Sequence, residues 1–105
     1  MIERNPEISV VVPLLNEQDN IGPLYEQITK TLAPEHSYEV IFVDDGSTDN
    51  SFTVMAELQK ADDKVRIIRF RKNFGQTAAL SAGFDHARGN IIVAMDGDLQ
   101  NDPAD

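Results

Sequence analysis

Short apolar, β-branched runs alternate along the chain with stretches whose apolar residues recur at helical spacing. Ile8–Leu14, Tyr38–Val43, Val65–Phe70 and Ile91–Met95 read as four strands. Val10-Val11-Val12 sends apolar groups to both faces, as expected of a parallel strand covered on both sides. Between the strands lie three helical stripes. The first is Ile21, Leu24, Tyr25, Ile28 and Leu32, with Pro23 expected in its opening turn, where a missing N–H costs nothing. The second is Val54, Met55, Leu58 and Ala61, preceded by Ser, Thr and Asp residues suited to capping. The third is Leu80, Gly83, Phe84 and Ala87, with Gly89 as its stop. A βαβαβαβ order implies an α/β fold: a parallel sheet with right-handed crossovers and helices on both faces.

Composition narrows the chemistry. A chain of 105 residues is one domain at most, and 41% hydrophobic residues suffice for one core. No cysteine is present, so any metal must be held by oxygen or imidazole. His36 and His86 lie far apart without helical pair spacing, which argues against a zinc cluster; His86 reads as an exposed helix residue. A formal net charge of −9 argues against nucleic acid as a partner, because a phosphate backbone needs a basic footprint. An acidic protein that binds an anionic ligand needs a cation between them. No apolar run reaches the roughly 20 residues of a membrane span and the N-terminus has no signal-peptide pattern, so the expectation for the chain as given is cytoplasmic.

In an open parallel sheet, ligands bind beyond the carboxyl ends of the strands, where strand order reverses. After the first strand come Leu15, Asn16 and Glu17; after the second, Asp44-Asp45-Gly46-Ser47; after the third, Arg69, Arg71, Lys72, Asn73 and Gly75; after the fourth, Asp96-Gly97-Asp98-Leu99-Gln100. Two carboxylates about one glycine suit a hard divalent cation, Mg2+ or Mn2+, which would bridge a diphosphate, and Gln100 adds a neutral oxygen donor. An acidic surface turn accounts for the triplet equally well. Asp44-Asp45 suits turn and cap chemistry, or a carboxylate accepting from a base N–H or a ribose hydroxyl. Glu17 suits a helix N-terminus or a nucleotide contact.

Together these residues resemble the family 2 glycosyltransferases with the GT-A fold. Val10-Val11-Val12-Pro13-Leu14-Leu15-Asn16-Glu17 is similar to their first-strand motif, with Leu15 where tyrosine is common. Val43-Asp44-Asp45-Gly46-Ser47-Thr48-Asp49 resembles the second-strand motif, and Met95-Asp96-Gly97-Asp98-Leu99-Gln100 the metal motif, with Gly97 where alanine is usual. Asn73-Phe74-Gly75-Gln76-Thr77-Ala78-Ala79 and Ala82-Gly83-Phe84 look like the branch that glycosylates polyprenyl phosphates. The resemblance implies a Rossmann-like three-layer sandwich with strand order 3-2-1-4, residues 1–105 being the nucleotide-sugar-binding half and ending just past the DxD-type motif. It implies that Pro13, Leu15, Glu17, Val43 and Asp45 line the nucleotide pocket, with Asp96, Gly97, Asp98 and Gln100 at the sugar diphosphate. Asp96, Asp98 and Gln100 would hold Mg2+ or Mn2+, and Asp98 would be the catalytic carboxylate. The partners implied are a UDP- or GDP-linked sugar donor and a polyprenyl-phosphate acceptor met by a further C-terminal part, at the cytoplasmic face of a membrane.

Two other classes fit part of this pattern. A phosphoacceptor receiver domain also places acidic strand ends around Mg2+, but there the acidic pair opens the fold, whereas Asp44-Asp45 follows the second strand. A non-catalytic binding or assembly domain is the other. Because nothing follows the fourth strand to cover Ile91, Ile92 and Val93, a homodimer or exchanged element is also expected.

Overall fold

The elements run β1 (Ile8–Leu14), α1 (Gln18–Leu32), β2 (Tyr38–Asp44), α2 (Ser51–Ala61), β3 (Val65–Arg69), α3 (Gln76–His86) and β4 (Ile91–Ala94) in the computed structural model, which describes residues 5–95. All three strand pairings are parallel and the order is β3-β2-β1-β4. β1 pairs with β2 from Ile8↔Tyr38 to Leu14↔Asp44 and with β4 from Ile8↔Ile91 to Val11↔Ala94. The fold is therefore the α/β sandwich, with the strand order, that the sequence implies.

Alternation along the strands divides the core into two layers. Val10, Val12, Leu14, Val40 and Phe42 pack with Ile21, Leu24 and Ile28 of α1 and Met55 of α2. Val11, Ile41 and Val43 face the other way, toward Ala79 of α3. Burying each such side chain stabilises the fold by roughly 1.5–3 kcal/mol. On the α3 side, small residues let helix and sheet approach: a Cβ at Gly83 would run into the Val11 side chain.

Several local expectations need correction. α1 starts at Gln18, so Pro23 is an interior residue rather than part of the opening turn. Glu17, the N-cap residue, has its N–H held by Ser51 Oγ at 3.0 Å, and Pro23 is tolerated on the exposed side of the helix. The buried positions of α3 are Ala79 and Gly83, while Phe84 is exposed. Gly89 does not stop that helix; α3 ends at His86 and turns extended at Ala87. Ala61 is exposed, and Met55 and Ser51 are the buried residues of α2. His86 is exposed as expected. β4 carries Ile91, Ile92 and Val93 with 58%, 44% and 40% of their surface exposed, so the described residues leave this edge strand uncovered.

One polar bond joins α1 to the end of α2: the Tyr25 hydroxyl donates to Asp62 Oδ2 at 2.5 Å. Burial, and next the bond to Asp62, pushes the Tyr25 phenol up to about 12. Burial alone would raise the Asp62 carboxyl, but hydrogen bonds from Tyr25 and from the Lys64 N–H outweigh it and hold it below its ordinary value.

Gly83→Ala should destabilise the chain by about 1–3 kcal/mol in chemical denaturation, and combining it with Val11→Ala should cost less than the two single losses added. The Tyr25 contribution to stability should be complete below pH 10 and fall as pH rises toward 12, because the unfolded phenol ionises first. Alkaline titration of phenolate absorbance should show a late-ionising tyrosine that is missing from Tyr25→Phe.

Candidate functional site

The carboxyl ends of β2, β1 and β4 lie side by side, with β1 in the middle. The chain leaves β1 through Leu15 and Asn16, and Asn16 adopts a left-handed backbone with φ 53°. Asparagine tolerates that region better than other side chains, and here its amide is put to use. Asn16 Oδ1 accepts the N–H groups of Thr48 at 2.8 Å and Asp49 at 3.2 Å, while the Asn16 N–H donates to Ser47 Oγ at 3.0 Å. The Asn50 N–H donates to Gln18 Oε1 at 2.9 Å, and Asp49 Oδ1 accepts the Ser51 N–H at 2.9 Å where α2 begins. These bonds join the β1–α1 and β2–α2 loops into one polar lip.

The paired aspartates are anchored differently. Asp44 Oδ1 accepts the Ser47 N–H at 2.8 Å, closing a turn. Its other oxygen is buried without a hydrogen-bond partner and lies 4.0 Å from Arg69 Nε. The Arg69 guanidinium is itself stacked 4.0 Å above the Phe52 ring. Asp45 is 5% exposed; Oδ1 accepts the Phe74 N–H at 2.8 Å and Oδ2 the Gly75 N–H at 3.1 Å, immediately before α3. Gly46 has φ +81°, and a Cβ there would strike the backbone of Lys72 and Asn73. Asp45 and Gly46 thus hold the β3–α3 loop against the same edge.

Among the residues expected to bind, Pro13 and Val43 are register partners and both are buried, so their backbones rather than their side chains are what a ligand could meet. Leu15 is 40% exposed at the mouth of the edge. Glu17 is partly exposed, with Oε2 accepting from Asn20 Nδ2 at 2.7 Å. Asp96, Gly97, Asp98 and Gln100 lie outside the described residues. The last described residue, Met95, donates its N–H to Val11 O at 2.9 Å, on the central strand. Among the described residues no group of three histidine or carboxylate side chains could hold a metal. The 96–100 segment carries oxygen donors of the kind that suit Mg2+ or Mn2+. Asn16, Ser47, Thr48 and Ser51 were not among the residues expected to bind; an asparagine two residues after a strand, a type that tolerates the left-handed region, was the available clue.

The profile of glycosyl transferase family 2 matches residues 9–105. The chain belongs to glycosyl transferase family 2. Among curated members of this family-like set, it is 46% identical over 101 residues to dodecaprenyl-phosphate galacturonate synthase of Rhizobium johnstonii, covering 94% of this chain and 30% of that protein. It is 40% identical over 103 residues to undecaprenyl-phosphate 4-deoxy-4-formamido-L-arabinose transferase of Proteus mirabilis, covering 96% of this chain and 32% of the relative. The chain thus spans about a third of the length of these relatives. Its fold is similar to that of a mannosyltransferase from Pyrobaculum calidifontis solved with GDP-Man and Mn2+, with a TM-score of 0.78 and 25% identity over 90% of this chain and 28% of that one. It is also similar to glucosyl-3-phosphoglycerate synthase from Mycobacterium tuberculosis solved with Mn2+, UDP and glucosyl-3-phosphoglycerate, with a TM-score of 0.64 and 26% identity over 89% of this chain and 34% of that one. Membership of glycosyl transferase family 2 sets the receiver-domain alternative aside.

Asp45→Ala leaves the Phe74 and Gly75 N–H groups without their acceptor and should cost about 1–3 kcal/mol. Hydrogen exchange should quicken first at Phe74 and Gly75, ahead of the β1–β2 amides.

Proposed function

We propose that residues 1–105 form the nucleotide-sugar-binding half of an inverting glycosyltransferase that uses a UDP- or GDP-linked donor and a polyprenyl-phosphate acceptor. The observation that carries this reading is the strand order β3-β2-β1-β4, in which the Asn16–Glu17 end lies between the Asp45–Gly46 end and the strand that leads into Asp96. Relatives whose names specify polyprenyl-phosphate sugar transfer support the acceptor class. Solved neighbours with GDP-Man or UDP, and Mn2+, support the donor class and a divalent cation.

In this reading the polar lip from Asn16 to Ser51 and the β3–α3 loop hold the nucleoside end, with the Pro13, Leu15, Glu17, Val43 and Asp45 positions lining it. Leu15 offers an apolar surface to the base. Asp96, Asp98 and Gln100 would hold Mg2+ or Mn2+, which supplies charge neutralisation for the diphosphate. A phosphate monoester is largely dianionic near neutral pH, its second pKa being about 6. Such an acceptor can attack the anomeric carbon with inversion and without a dedicated general base. Catalysis then rests on positioning and electrostatics, and Asp98 is the carboxylate assigned to the reacting end. The acceptor is met by a further part of the enzyme at the cytoplasmic face of the membrane. The exposed Ile91, Ile92 and Val93 edge of β4 favours pairing with a second copy of this chain, which light scattering would show as a dimer.

Calorimetry with UDP and GDP should show weak binding that needs Mn2+ or Mg2+. The Asp96→Asn/Asp98→Asn double variant should bind about tenfold or more weakly, some 1.4 kcal/mol, with an unchanged circular dichroism spectrum. Nucleotide binding of equal strength with and without metal would overturn the role given to this pair.

A further inference from the structure

At the opposite edge of the sheet, four segments converge on one carboxylate. Glu39, the second residue of β2, is 5% exposed. Its Oε2 accepts Ser9 Oγ–H at 2.6 Å and the Arg88 N–H at 2.7 Å, and its Oε1 accepts Arg66 Nη1 at 2.8 Å. Ser9 Oγ in turn accepts the Gly89 N–H at 2.7 Å, and the same Arg66 nitrogen also donates to His86 O at 2.8 Å. β1, β2, β3 and the turn between α3 and β4 are thereby joined. Burial alone would raise the Glu39 carboxyl, but the bonds from Ser9, Arg88 and Arg66 outweigh it and hold it below its ordinary value. It is a satisfied buried anion, remote from the proposed ligand and unused by the mechanism.

What this network fixes is the entry of β4. That strand has four residues and an exposed surface and, among the described residues, one neighbouring strand, so only the short ladder on β1 holds it along its length. To that ladder its ends add further holds: Arg88 and Gly89 on Glu39 and Ser9, Ile91 N–H on Glu7 O at 3.0 Å, and Met95 N–H on Val11 O. Gly89 also sits so tightly that a Cβ would press on the Ile8–Ser9 backbone and Ser9 Oγ. A slip of one residue would carry whatever follows β4 by about 3.3 Å and exchange its faces.

We propose that Glu39 is a positioning residue for the acidic motif: it secures the register of β4 on β1, and so the place of Met95, the residue that precedes Asp96 in the chain. The proposal rests on the reading of those two aspartates as metal ligands. Its reach is long but continuous, through backbone hydrogen bonds and one short strand.

The test compares Glu39→Gln with wild type and with Leu58→Ala, a variant in α2 that loses stability away from β4. In Glu39→Gln, amide exchange should quicken about tenfold at Gly89, Ile91 and Met95 while the β2–β3 amides stay as they are. The Mn2+ concentration for half-maximal UDP or GDP binding should rise about tenfold. Leu58→Ala, matched in melting temperature, should leave that midpoint in place. Gly89→Ala, which keeps the carboxylate and crowds the turn, should reproduce both effects and decides the matter if Glu39→Gln does not fold. Unchanged or uniformly faster exchange, or a midpoint that follows melting temperature in every variant, would overturn the proposal. A wild-type chain that binds no nucleotide with Mn2+ sinks the metal-site reading instead, and the exchange pattern then decides by itself whether Glu39 sets β4.

Discussion

Everything in this fold depends on covering β1. All seven of its residues are buried, and it is bonded to a parallel neighbour on each side. A strand in that position must send apolar side chains to both faces and have its N–H and C=O groups paired along both edges. Val10 and Val12 require α1 and α2 beneath one face, and Val11 requires α3 on the other. Because the strands are parallel, every connection returns over a helix and every strand ends at the same edge. The gathering of Glu17, Asp45 and the approach to Asp96 is a consequence of that arithmetic, before any chemistry is considered.

Within that edge, positions are held by short polar side chains rather than by a core. Asn16, Ser47, Asp49 and Ser51 satisfy backbone groups of the neighbouring loop, and Asp45 does the same for residues 74 and 75. Groups bonded to backbone have few alternative rotamers, so the lip starts in the conformation it would present to a ligand. Asp44 is the exception: among the described residues one of its oxygens is buried without a hydrogen-bond partner, 4.0 Å from Arg69.

The strands were legible because β-branched runs on a doubly covered sheet have few other readings, and their order came from the family resemblance. Helix starts were less legible. Pro23 suggested a late beginning for α1, but the helix starts at Gln18, after a Glu17 whose N–H is held by Ser51, more than thirty residues downstream. Phe84 was assigned to the core by its spacing, yet the packing of α3 on Val11 requires a small residue, Gly83, and leaves the ring outside. Asp44 and Asp45 left turn chemistry and ligand contact open, and the structure shows carboxylate oxygens of both engaged by backbone N–H groups. Glu39 carried no local signal at all. A buried acid inside Tyr38-Glu39-Val40 makes sense only when Ser9, Arg66 and Arg88 are beside it, and none of them is near in sequence. The acidic motif itself was the sharpest feature of the sequence, and it lies outside the described residues.

The separation of these partners also shapes how the chain folds. Ser9 meets Glu39, Asn16 meets Ser47, and Asp45 meets Phe74, each across about thirty residues. Each such bond closes a loop that contains a whole helix, and its entropy cost precedes any reward from the contact. Helices can form in isolation early, but the lip cannot exist until β1 and β2 are aligned, and the Phe74 anchor cannot exist until β3 has joined them. This edge is therefore assembled late, as a by-product of strand docking. Mutations confined to it should alter the unfolding rate more than the folding rate.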